Sequence, residues 1–587
     1  MKRKGVIVTF TFLLLVAAIA GAFCYFFLPN NKVVPAFEED KLNLVVDGEV
    51  VESEELPRVV DEEILLPMDV IKKYFDPNIF WDDQLKKVTI TTKDRVVRMK
   101  TESLDAFVNN KPVTLKIPVT EEKKGEEKII YVPIEFLSEF YNIEINYIKE
   151  KNVIIIDNKK TVKQIAEPIE QDSVIRKGRS TSYPIIRKLD LGGEKPEERQ
   201  LRVFEEYDKW YKVRTWDGAI GYIEKKFVVV KQMVAERIPG EEQARTAWKP
   251  EKGKINLVWD MMYEKRTGGY KEEKIQGLDV ISPTWFQVAN DKGILINRAD
   301  AKYVEWAHKN GYKVWALFSN DSSDPAMTHR FLTNTDARDA VIKQLLVFAS
   351  LYKLDGINID FENINIEDKG ALTQFVREVT PLLKEQGMVV SMDVTPVDGS
   401  ANWSQCYDRP EIAKVVDYVA LMAYDQNWPN FGPNAQLPWV ESSLQKVLKQ
   451  VPKEKLLLGI PTYTRVWKEE TDKSGKVKNT HAMALSIEAA KKAVVDNKGT
   501  VKWDEKSGQF YAEYKKDGVL YKTWLENNDS IDMKSALIQK YKLAGAAIWN
   551  KNLGDKSAWE ALNKNLKEID NYQEWKLASK DNKYVFD

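Results

Sequence analysis

The sequence predicts an α/β protein whose carboxy-terminal half is a closed barrel of eight parallel strands, preceded by smaller β-rich domains. After about residue 252, apolar strand-like runs alternate with amphipathic helix-like segments, which is typical of a parallel sheet. Eight such runs fit within about 320 residues, and this indicates a (β/α)8 TIM barrel. The runs cover residues 255–260, 280–286, 313–319, 356–362, 389–395, 418–425, 456–463 and 545–550.

The segments between these runs support the barrel prediction. An amphipathic helix is predicted at residues 336–352, before the fourth strand, and similar segments separate most of the other strands. Between the seventh and eighth strands, residues 468–532 are expected to form a small α+β insertion. The predicted barrel domain as a whole spans residues 252–575.

Length and composition restrict what the chain can do. A chain of 587 residues is too long for one core, so several domains are expected. Lys plus Arg (88) nearly equals Asp plus Glu (89), which gives no reason to expect a nucleic-acid partner. Cys24 and Cys406 lie far apart, and His308, His329 and His481 are too scattered for a zinc site. We therefore expect no metal and no cofactor, and chemistry that relies on carboxylates.

The amino terminus predicts a membrane anchor. Lys2, Arg3 and Lys4 precede an apolar, charge-free run at residues 6–28. This run exceeds the ~7–15 residues of a signal-peptide core and matches the ~20 needed to span a bilayer. Residues 1–35 are therefore expected to form a cytoplasmic tip and a single span in the cell membrane, with the barrel on the cell-wall side. A cleaved signal peptide is the alternative, and it leaves the rest of the chain outside the cytoplasm as well.

Residues 36–165 contain a duplicated pattern. In each copy an apolar strand leads to proline at the start of a short amphipathic helix, and a strand of β-branched residues follows. These features lie at residues 63–71 and 86–92 in the first copy, and at 129–137 and 151–157 in the second. The pattern resembles the copper amine oxidase N-terminal-like stalk module of bacterial surface proteins, although no metal ligands are evident in it. We expect an α+β spacer or binding module without a catalytic role.

Residues 166–232 consist of short strand-like runs separated by turn signals, and they predict a small all-β domain. Asp217-Gly218 indicates a hairpin turn. The segment at residues 210–228 resembles a bacterial SH3-like domain. This resemblance implies binding of cell-wall peptides, and a purely structural barrel is the alternative. The polar stretch at residues 233–251 predicts a linker to the barrel.

The fourth strand-like run, LDGINIDFENI, combines an apolar pattern with several carboxylates. Because side chains alternate between faces along a strand, Asn358, Asp360 and Glu362 should share one side, opposite the apolar side chains between them. In a barrel the polar set points into the lumen, so Glu362 is expected at the carboxy-terminal mouth, where TIM-barrel active sites lie. Closely spaced carboxylates push their pKa values apart, which leaves an acid able to donate a proton near neutral pH.

Two carboxylates suggest cleavage of a glycosidic bond, but two groups on one strand cannot easily flank a sugar from opposite faces. A nucleophile supplied by the substrate resolves this difficulty. The 2-acetamido carbonyl of N-acetylglucosamine can attack the anomeric carbon and form an oxazolinium ion. Asp360 would orient and polarise that amide, while Glu362 protonates the leaving oxygen and later activates water.

Residues 355–362 resemble the DGxDxDxE motif of glycoside hydrolase family 18, which includes chitinases and cell-wall N-acetylglucosaminidases. Asn358 stands where many chitinases carry Asp, and the third strand ends in Phe318-Ser319-Asn320 instead of the common SxGG. The chain also contains an MxYD-like sequence in its sixth strand and a late Trp like the one that forms the floor of the −1 sugar subsite. The resemblance implies that the catalytic residues are Glu362, Asp360 and Tyr424, and that the substrate-binding residues are Asn358, Asp355, Met422, Asp425 and Trp549.

Some of these residues have plainer explanations. Asp355 could be purely structural. Trp285, Trp428 and Trp467 could line sugar subsites, and core or rim packing is the alternative for each. Arg465 could donate to a substrate oxygen or form a surface salt bridge.

Two functions remain open from the sequence. The first is a membrane-anchored hydrolase of β-1,4-linked, N-acetylglucosamine-containing glycans. Peptidoglycan is the favoured substrate, because an anchor, a spacer and an SH3-like domain would hold the barrel near the bacterial envelope, and chitin is the alternative. The second is a catalytically silent, lectin-like protein that binds such glycans. Glu362 favours the enzyme, since silent relatives commonly lose this acid.

Overall fold

The computed structural model describes most of the chain after residue 28. The described residues are 29–586 except for 39, 160–162, 172, 193–194, 235–246, 264–269, 429 and 472–475. The predicted anchor run at residues 6–28 lies outside this part of the chain. Among the described residues, no helix combines the length and apolarity that a membrane crossing requires.

The chain divides into two compact units. The first contains the residues up to 79 together with 99–107 and 112–245, and the second contains 80–98, 108–111 and the residues from 246 onward. Both copies of the duplicated pattern form the expected strand and helix, because Glu63–Pro67 leads into the helix Met68–Tyr74 and Glu127–Pro133 leads into the helix Ile134–Tyr141. Proline directly precedes each helix, where a missing N–H is no loss because first-turn donors have no helical partner. The other strands between residues 43 and 158 are Asn43–Val46, Glu49–Val50, Arg58–Val60, Phe80–Asp82, Lys87–Thr91, Val96–Lys100, Asp105–Val108, Lys111–Thr114, Thr120–Lys124, Ile143–Ile148 and Val153–Asn158.

The SH3-like region is all β, as predicted. Its strands form one sheet in which neighbouring strands are antiparallel. Gly218 has a φ of +90°, a backbone conformation that favours glycine and explains the turn signal at Asp217-Gly218. The strands are Lys163–Pro168, Val174–Arg176, Ile185–Lys188, Leu201–Glu206, Trp210–Arg214, Ile220–Glu224 and Val228–Val234.

Eight parallel strands close into a barrel in the second unit. Each strand pairs with the next in chain order, and the first also pairs with the last. The predicted TIM barrel is therefore confirmed. The barrel strands are Ile255–Asp260, Val280–Val288, Lys313–Ser319, Gly356–Asp360, Val389–Val394, Tyr418–Leu421, Leu456–Pro461 and Gly545–Trp549.

Helices surround this barrel. The predicted helix before the fourth strand is present as Thr335–Tyr352, and the side chain of Asn334 caps it by accepting a hydrogen bond from the Ala337 N–H. An apolar core fills the space between helices and strands, while a second cluster that includes the buried rings of Trp259 and Trp315 fills the lumen. The other helices of this unit are Ala301–Lys309, Pro325–Thr333, Lys369–Glu385, Arg409–Val415, Leu437–Val447, Ile487–Asp496, Asn528–Tyr541, Lys556–Asn563 and Tyr572–Ala578.

The insertion after the seventh strand begins earlier than expected. The predicted run at residues 456–463 is interrupted at Thr462, which donates from its backbone N to the Trp549 carbonyl (2.8 Å) and from its hydroxyl to the Asn550 carbonyl (2.8 Å). The chain then leaves the barrel at once as a new strand. The insertion packs the helix Ile487–Asp496 against a five-stranded sheet of Tyr463–Thr471, Val477–Ser486, Thr500–Asp504, Gln509–Lys516 and Val519–Leu525.

A buried ion-pair network lies on the flank of the barrel unit. Glu378, on a barrel helix, accepts from Arg338 Nη2 at 2.9 Å and from Arg98 Nη2 at 3.3 Å. Both side chains of the Arg338–Glu378 pair are fully buried. Nearby, Asp82 accepts from the backbone N of Thr335 (3.0 Å) and from its hydroxyl (2.6 Å). We call Arg98, Arg338 and Glu378 the flank cluster.

Candidate active site

The fourth barrel strand presents its side chains as the alternation predicts. Ile357, Ile359 and Phe361 are fully buried in the core beneath the helices. Asn358 instead points into the lumen, where its Oδ1 accepts from the indole N–H of Trp259 at 2.8 Å. Asp360 is the last residue of the strand and lies above Asn358.

The strand ends two residues earlier than the sequence predicts. At this point the side chain of Asn320, the residue after the third strand, bonds to both backbone groups of Glu362. Its Oδ1 accepts from the Glu362 N–H at 2.9 Å, and its Nδ2 donates to the Glu362 carbonyl at 2.9 Å. Tyr407 donates its hydroxyl to the Phe361 carbonyl at 2.7 Å. Side chains therefore replace a neighbouring strand here, and they hold the backbone of Glu362 at the barrel mouth.

Asn358 connects the mouth to a carboxylate that the sequence analysis missed. Its Nδ2 donates to Asp393 Oδ1 at 2.8 Å and to Ser391 Oγ at 3.0 Å. Asp393 is fully buried in the fifth strand. The signal was present in the run VVSMDVT, where Ser391 and Asp393 alternate with apolar residues as Asn358 and Asp360 do. We call Asn358, Asp360, Glu362 and Asp393 the lumen cluster.

The carboxyl groups of the lumen cluster resist ionisation. Burial raises the pKa of Glu362 to about 8, and the neighbouring Asp360 and Asp425 add to this shift. The pKa of Asp360 is raised well above its ordinary range by burial and by Asp393, while a hydrogen bond with Glu362 opposes that shift. Burial also raises the pKa of Asp393. In the described part of the chain, no lysine or arginine forms an ion pair with these three carboxylates.

The MxYD-like residues lie at the end of the sixth strand, close to this cluster. Met422 is buried and Tyr424 is partly exposed, and burial, followed by Tyr463 and the nearby carboxylates, raises the pKa of Tyr424 well above its ordinary range. Asp425 has a φ of +60°. Its carboxylate accepts from Arg465 Nη2 at 2.6 Å and from the hydroxyl of Tyr463. Asp425 is therefore already neutralised by partners in the insertion.

Trp549 ends the eighth strand, and its ring is partly exposed at the mouth. Its centroid lies 5.9 Å from that of Trp259, whose indole N–H holds Asn358. The predicted subsite floor is thus next to the lumen cluster. The mouth therefore brings together Asn358, Asp360, Glu362, Met422, Tyr424, Asp425 and Trp549 from the predicted site.

Asp355 is the predicted site residue that the structure does not bring to the mouth. It precedes the fourth strand, about 23 Å along the chain from Glu362 at ~3.3 Å per residue. Its carboxylate accepts from Lys313 Nζ and from the Val314 N–H, at 2.8 and 2.9 Å, and contacts His308. The prediction that Asp355 binds substrate is corrected on this ground, because Asp355 ties strand ends together at the opposite end of the barrel.

The open alternatives for the aromatic residues and Arg465 can be separated. Trp285 and Trp467 are fully buried and belong to the core. Trp428 is about half exposed, with Arg465 over its ring at 4.4 Å. Arg465 forms the salt bridge with Asp425 rather than standing free.

Comparison with known families agrees with this geometry. Residues 261–553 match the family model described as Glycosyl hydrolases family 18. Residues 45–156 match the model of the Copper amine oxidase N-terminal domain, and residues 173–229 match that of the Bacterial SH3 domain.

Individual proteins resemble part of the chain. The uncharacterized glycosylase YvbX of Bacillus subtilis is 29% identical over 286 residues, which cover 47% of this chain and 81% of YvbX. The cortical fragment-lytic enzyme of the same organism is 25% identical over 240 residues, which cover 40% of this chain and 55% of that enzyme. The crystal structure of the Bacillus megaterium spore cortex-lytic enzyme SleL has a TM-score of 0.48 at 19% identity, covering 58% of this chain and 77% of that one.

The closed barrel, the acid at its mouth and the family match agree on one class of enzyme. The chain therefore carries a glycosyl hydrolase family 18 domain, and its barrel is a glycosidase domain that follows a copper amine oxidase N-terminal domain and a bacterial SH3 domain.

Proposed function

We propose that this glycosidase cleaves β-1,4-linked glycans containing N-acetylglucosamine, with peptidoglycan as the main substrate, by substrate-assisted catalysis with retention of configuration. The observation that carries the proposal is the environment of Glu362. Its raised pKa leaves a protonated acid at neutral pH. Among the described residues of the mouth, Asp425 is engaged by Arg465, and Asp393 is buried and held by Asn358, so neither is placed to attack an anomeric carbon.

The reaction follows from these positions. Glu362 donates its proton to the leaving glycosidic oxygen while the acetamido carbonyl oxygen of the substrate attacks the anomeric carbon. Asp360 has a buried Oδ1 without a hydrogen-bond partner among the described residues, and it accepts from the acetamide N–H. Tyr424 donates to the acetamido oxygen, and Trp549 supports the apolar face of the sugar. Glu362, now ionised, then takes a proton from water, which opens the oxazolinium ion from the face that the leaving group vacated.

The other segments of the chain and one relative support peptidoglycan as the substrate. The SH3 domain is of the bacterial type, and one relative is named as a cortical fragment-lytic enzyme. The apolar run at residues 6–28 supports anchoring in the cell membrane, with the barrel on the cell-wall side and the SH3 domain contacting wall peptides. Chitin is the alternative substrate, since the proposed chemistry requires only an acetamido group next to the bond.

The experiment compares three substrates with the full-length protein. Purified sacculi, chitin oligomers and de-N-acetylated chitin oligomers are incubated separately, and released reducing ends are identified by mass spectrometry. We expect cleavage of sacculi and of acetylated oligomers. The de-N-acetylated oligomers should be cleaved slower by on the order of 10³-fold or more, because they lack the neighbouring nucleophile. Equal rates with and without the acetyl group contradict the mechanism, and no cleavage of any substrate supports the lectin-like alternative.

A further inference from the structure

A small cavity opens at the carboxyl ends of the first three barrel strands. Its volume is about 220 Å³. Its polar lining consists of Thr284, Gln287, Arg298 and Ser319, and methionine and phenylalanine side chains complete the walls. Tyr263 stands at the rim with 78% of its surface exposed. The cavity thus combines one cation, three neutral polar groups and an open aromatic face.

The cavity lies beside the proposed acid. Gln287 is in register with Ser319 on the neighbouring strand, and Ser319 is in register with Asp360 on the next. Adjacent strands are ~4.8 Å apart, so Gln287 lies roughly 10 Å from Asp360 across the sheet. Asn320, the residue after Ser319, holds both backbone groups of Glu362. A group in the cavity would therefore belong to the same substrate chain as the sugar being cleaved.

Arg298 differs from the arginines of the barrel unit that are held by carboxylates. Arg338, Arg377 and Arg465 each form an ion pair with a carboxylate, at 2.9, 2.7 and 2.6 Å. Arg298 instead donates from Nη2 to the side-chain oxygen of Gln287 at 3.3 Å. No carboxylate of the described residues pairs with it. A guanidinium has five N–H donors in a fork that fits a carboxylate, and the bond to Gln287 uses one of them, so Arg298 lines the cavity with donors left for a ligand.

We propose that this cavity binds a carboxylate carried on O3 of a sugar next to the cleaved N-acetylglucosamine, with Arg298 as its ionic partner. This inference rests on the proposed function and names the feature by which the site would select its substrate. In peptidoglycan the neighbours of each N-acetylglucosamine are muramyl residues, whose O3 bears a lactyl group. Chitin has a free hydroxyl at that position. The carboxylate comes either from the lactyl group or from the peptide attached to it.

The size of the cavity supports a substituent rather than a sugar chain. Pockets that enclose drug-sized ligands measure roughly 300–1,000 Å³, and this one is smaller. Its lining can also satisfy both parts of a lactyl ether. Gln287 and Ser319 offer hydrogen bonds to polar atoms, and the methionine and phenylalanine side chains can contact the methyl group.

The experiment measures binding without turnover. The full-length Glu362→Gln protein is titrated by calorimetry with four ligands. They are chitotetraose, the peptide-free GlcNAc–MurNAc tetrasaccharide, the same tetrasaccharide carrying stem peptides, and the carboxyl-reduced form of the tetrasaccharide. We expect at least one carboxylate-bearing ligand to bind about tenfold more tightly than the carboxyl-reduced form. Adding Arg298→Gln should remove that preference, and Arg298→Lys should retain part of it.

Arg330→Gln is the matched control, because Arg330 is an exposed arginine paired with Asp291 and does not line the cavity. Tighter binding of the peptide-free ligand identifies the lactyl carboxylate, and tighter binding of the peptide-bearing ligand identifies the peptide. The proposal is overturned if Arg298→Gln weakens the charged and carboxyl-reduced ligands equally, or if neither carboxylate is preferred.

Hydrolysis by the Glu362-containing protein separates this inference from the proposed function. If sacculi are cleaved and the preference for carboxylate-bearing over carboxyl-reduced ligands does not depend on Arg298, the inference is overturned and the proposed function stands. Cleavage of chitin alone together with an Arg298-dependent preference for a carboxylate removes peptidoglycan as the substrate and leaves the carboxylate site standing.

Discussion

The lumen cluster and the flank cluster both bury carboxylates in the same unit, yet their pKa values move in opposite directions. Burial is the largest influence on Glu362 and on Glu378, and it raises the pKa of each. In the flank cluster Arg338 and Arg98 outweigh burial, so the pKa of Glu378 is lowered. In the lumen cluster the nearest charges are other carboxylates, and the pKa of Glu362 rises to about 8.

The difference shows what makes a buried carboxylate chemically useful. Glu378 is ionised and held by two arginines, so it can neither donate nor accept a proton near neutral pH. Glu362 keeps a proton that it can give away, because no cation compensates its charge. Burial alone does not distinguish a structural carboxylate from a candidate acid; the sign of its neighbours does.

The two clusters also respond to opposite ends of the pH scale. The folded pKa of Glu362 is raised above its ordinary value of 4.5, so its contribution to stability is complete below pH 4.5 and is lost as pH rises through about 8. The folded pKa of Glu378 is lowered, so its contribution is present above pH 4.5 and is lost as pH falls through the lowered pKa.

Replacing the proposed acid should have the largest effect on activity. Glu362→Gln is expected to lower kcat by about 10²–10⁴-fold, because a glutamine cannot donate the proton. In the unsubstituted protein, kcat/KM should fall above pH 8 as Glu362 ionises. Glu367→Gln is the matched control, since Glu367 is an exposed carboxylate five residues away. Retention of kcat within tenfold in Glu362→Gln would contradict the assignment.

Breaking the flank cluster should have the largest effect on stability. Glu378→Gln leaves Arg98 and Arg338 buried without their shared carboxylate, and it is expected to lower the free energy of unfolding by about 3–5 kcal/mol. Urea unfolding of the barrel unit measures the change, while kcat in the folded protein should stay the same. Glu385→Gln, at the exposed end of the same helix, serves as control. Similar stability losses in both variants would show that the flank cluster has no special role.

Adding a carboxylate to the lumen cluster should have an intermediate effect. Asn358→Asp places a second charge 2.8 Å from the oxygen of Asp393, and it is expected to move the alkaline limb of kcat/KM upward by about one pH unit. The loss of stability should be greater at pH 9 than at pH 5. The double variant Asn358→Asp/Asp393→Asn keeps the number of carboxylates constant and should return the alkaline limb of kcat/KM to its original pH. An unchanged pH profile in Asn358→Asp would count against coupling within the cluster.

The smallest effect on activity is expected at the other end of the strand. Asp355→Asn should leave kcat within about twofold, and should lower the free energy of unfolding by about 1–3 kcal/mol because charged hydrogen bonds to Lys313 and Val314 are weakened. Steady-state kinetics and thermal unfolding measure the two quantities. Asp360→Asn, on the mouth side, is the comparison and should lose activity. Equal losses of kcat in the two variants would undermine the separation of the strand into a structural and a reacting end.

Local periodicity was enough to predict the barrel and part of its site. Alternation along the fourth strand placed Asn358 and Asp360 in the lumen, and the run of strand-like segments predicted eight strands. Proline before each stalk helix and glycine in the SH3 hairpin turn were likewise readable, because each reflects the backbone of its own residue.

Periodicity did not predict which distant residues meet. Asn320 and Asp393 come from the third and fifth strand regions, and only the pairing of those strands with the fourth brings them to Glu362 and Asn358. Asp355 is the reverse case. Its place in the DGxDxDxE-like motif suggested substrate contact, but the direction of the strand puts it at the far end of the barrel.

Local sequence was sufficient to predict which barrel strands form, which face their side chains take and the presence of an acidic strand, because these depend on neighbours within a few residues. The charge state of those acids, by contrast, follows from how the distant parts of the chain pack together. A pKa depends on how much water is excluded and on which charges lie within a few ångströms, and both are set by strands and helices that are far apart in the chain.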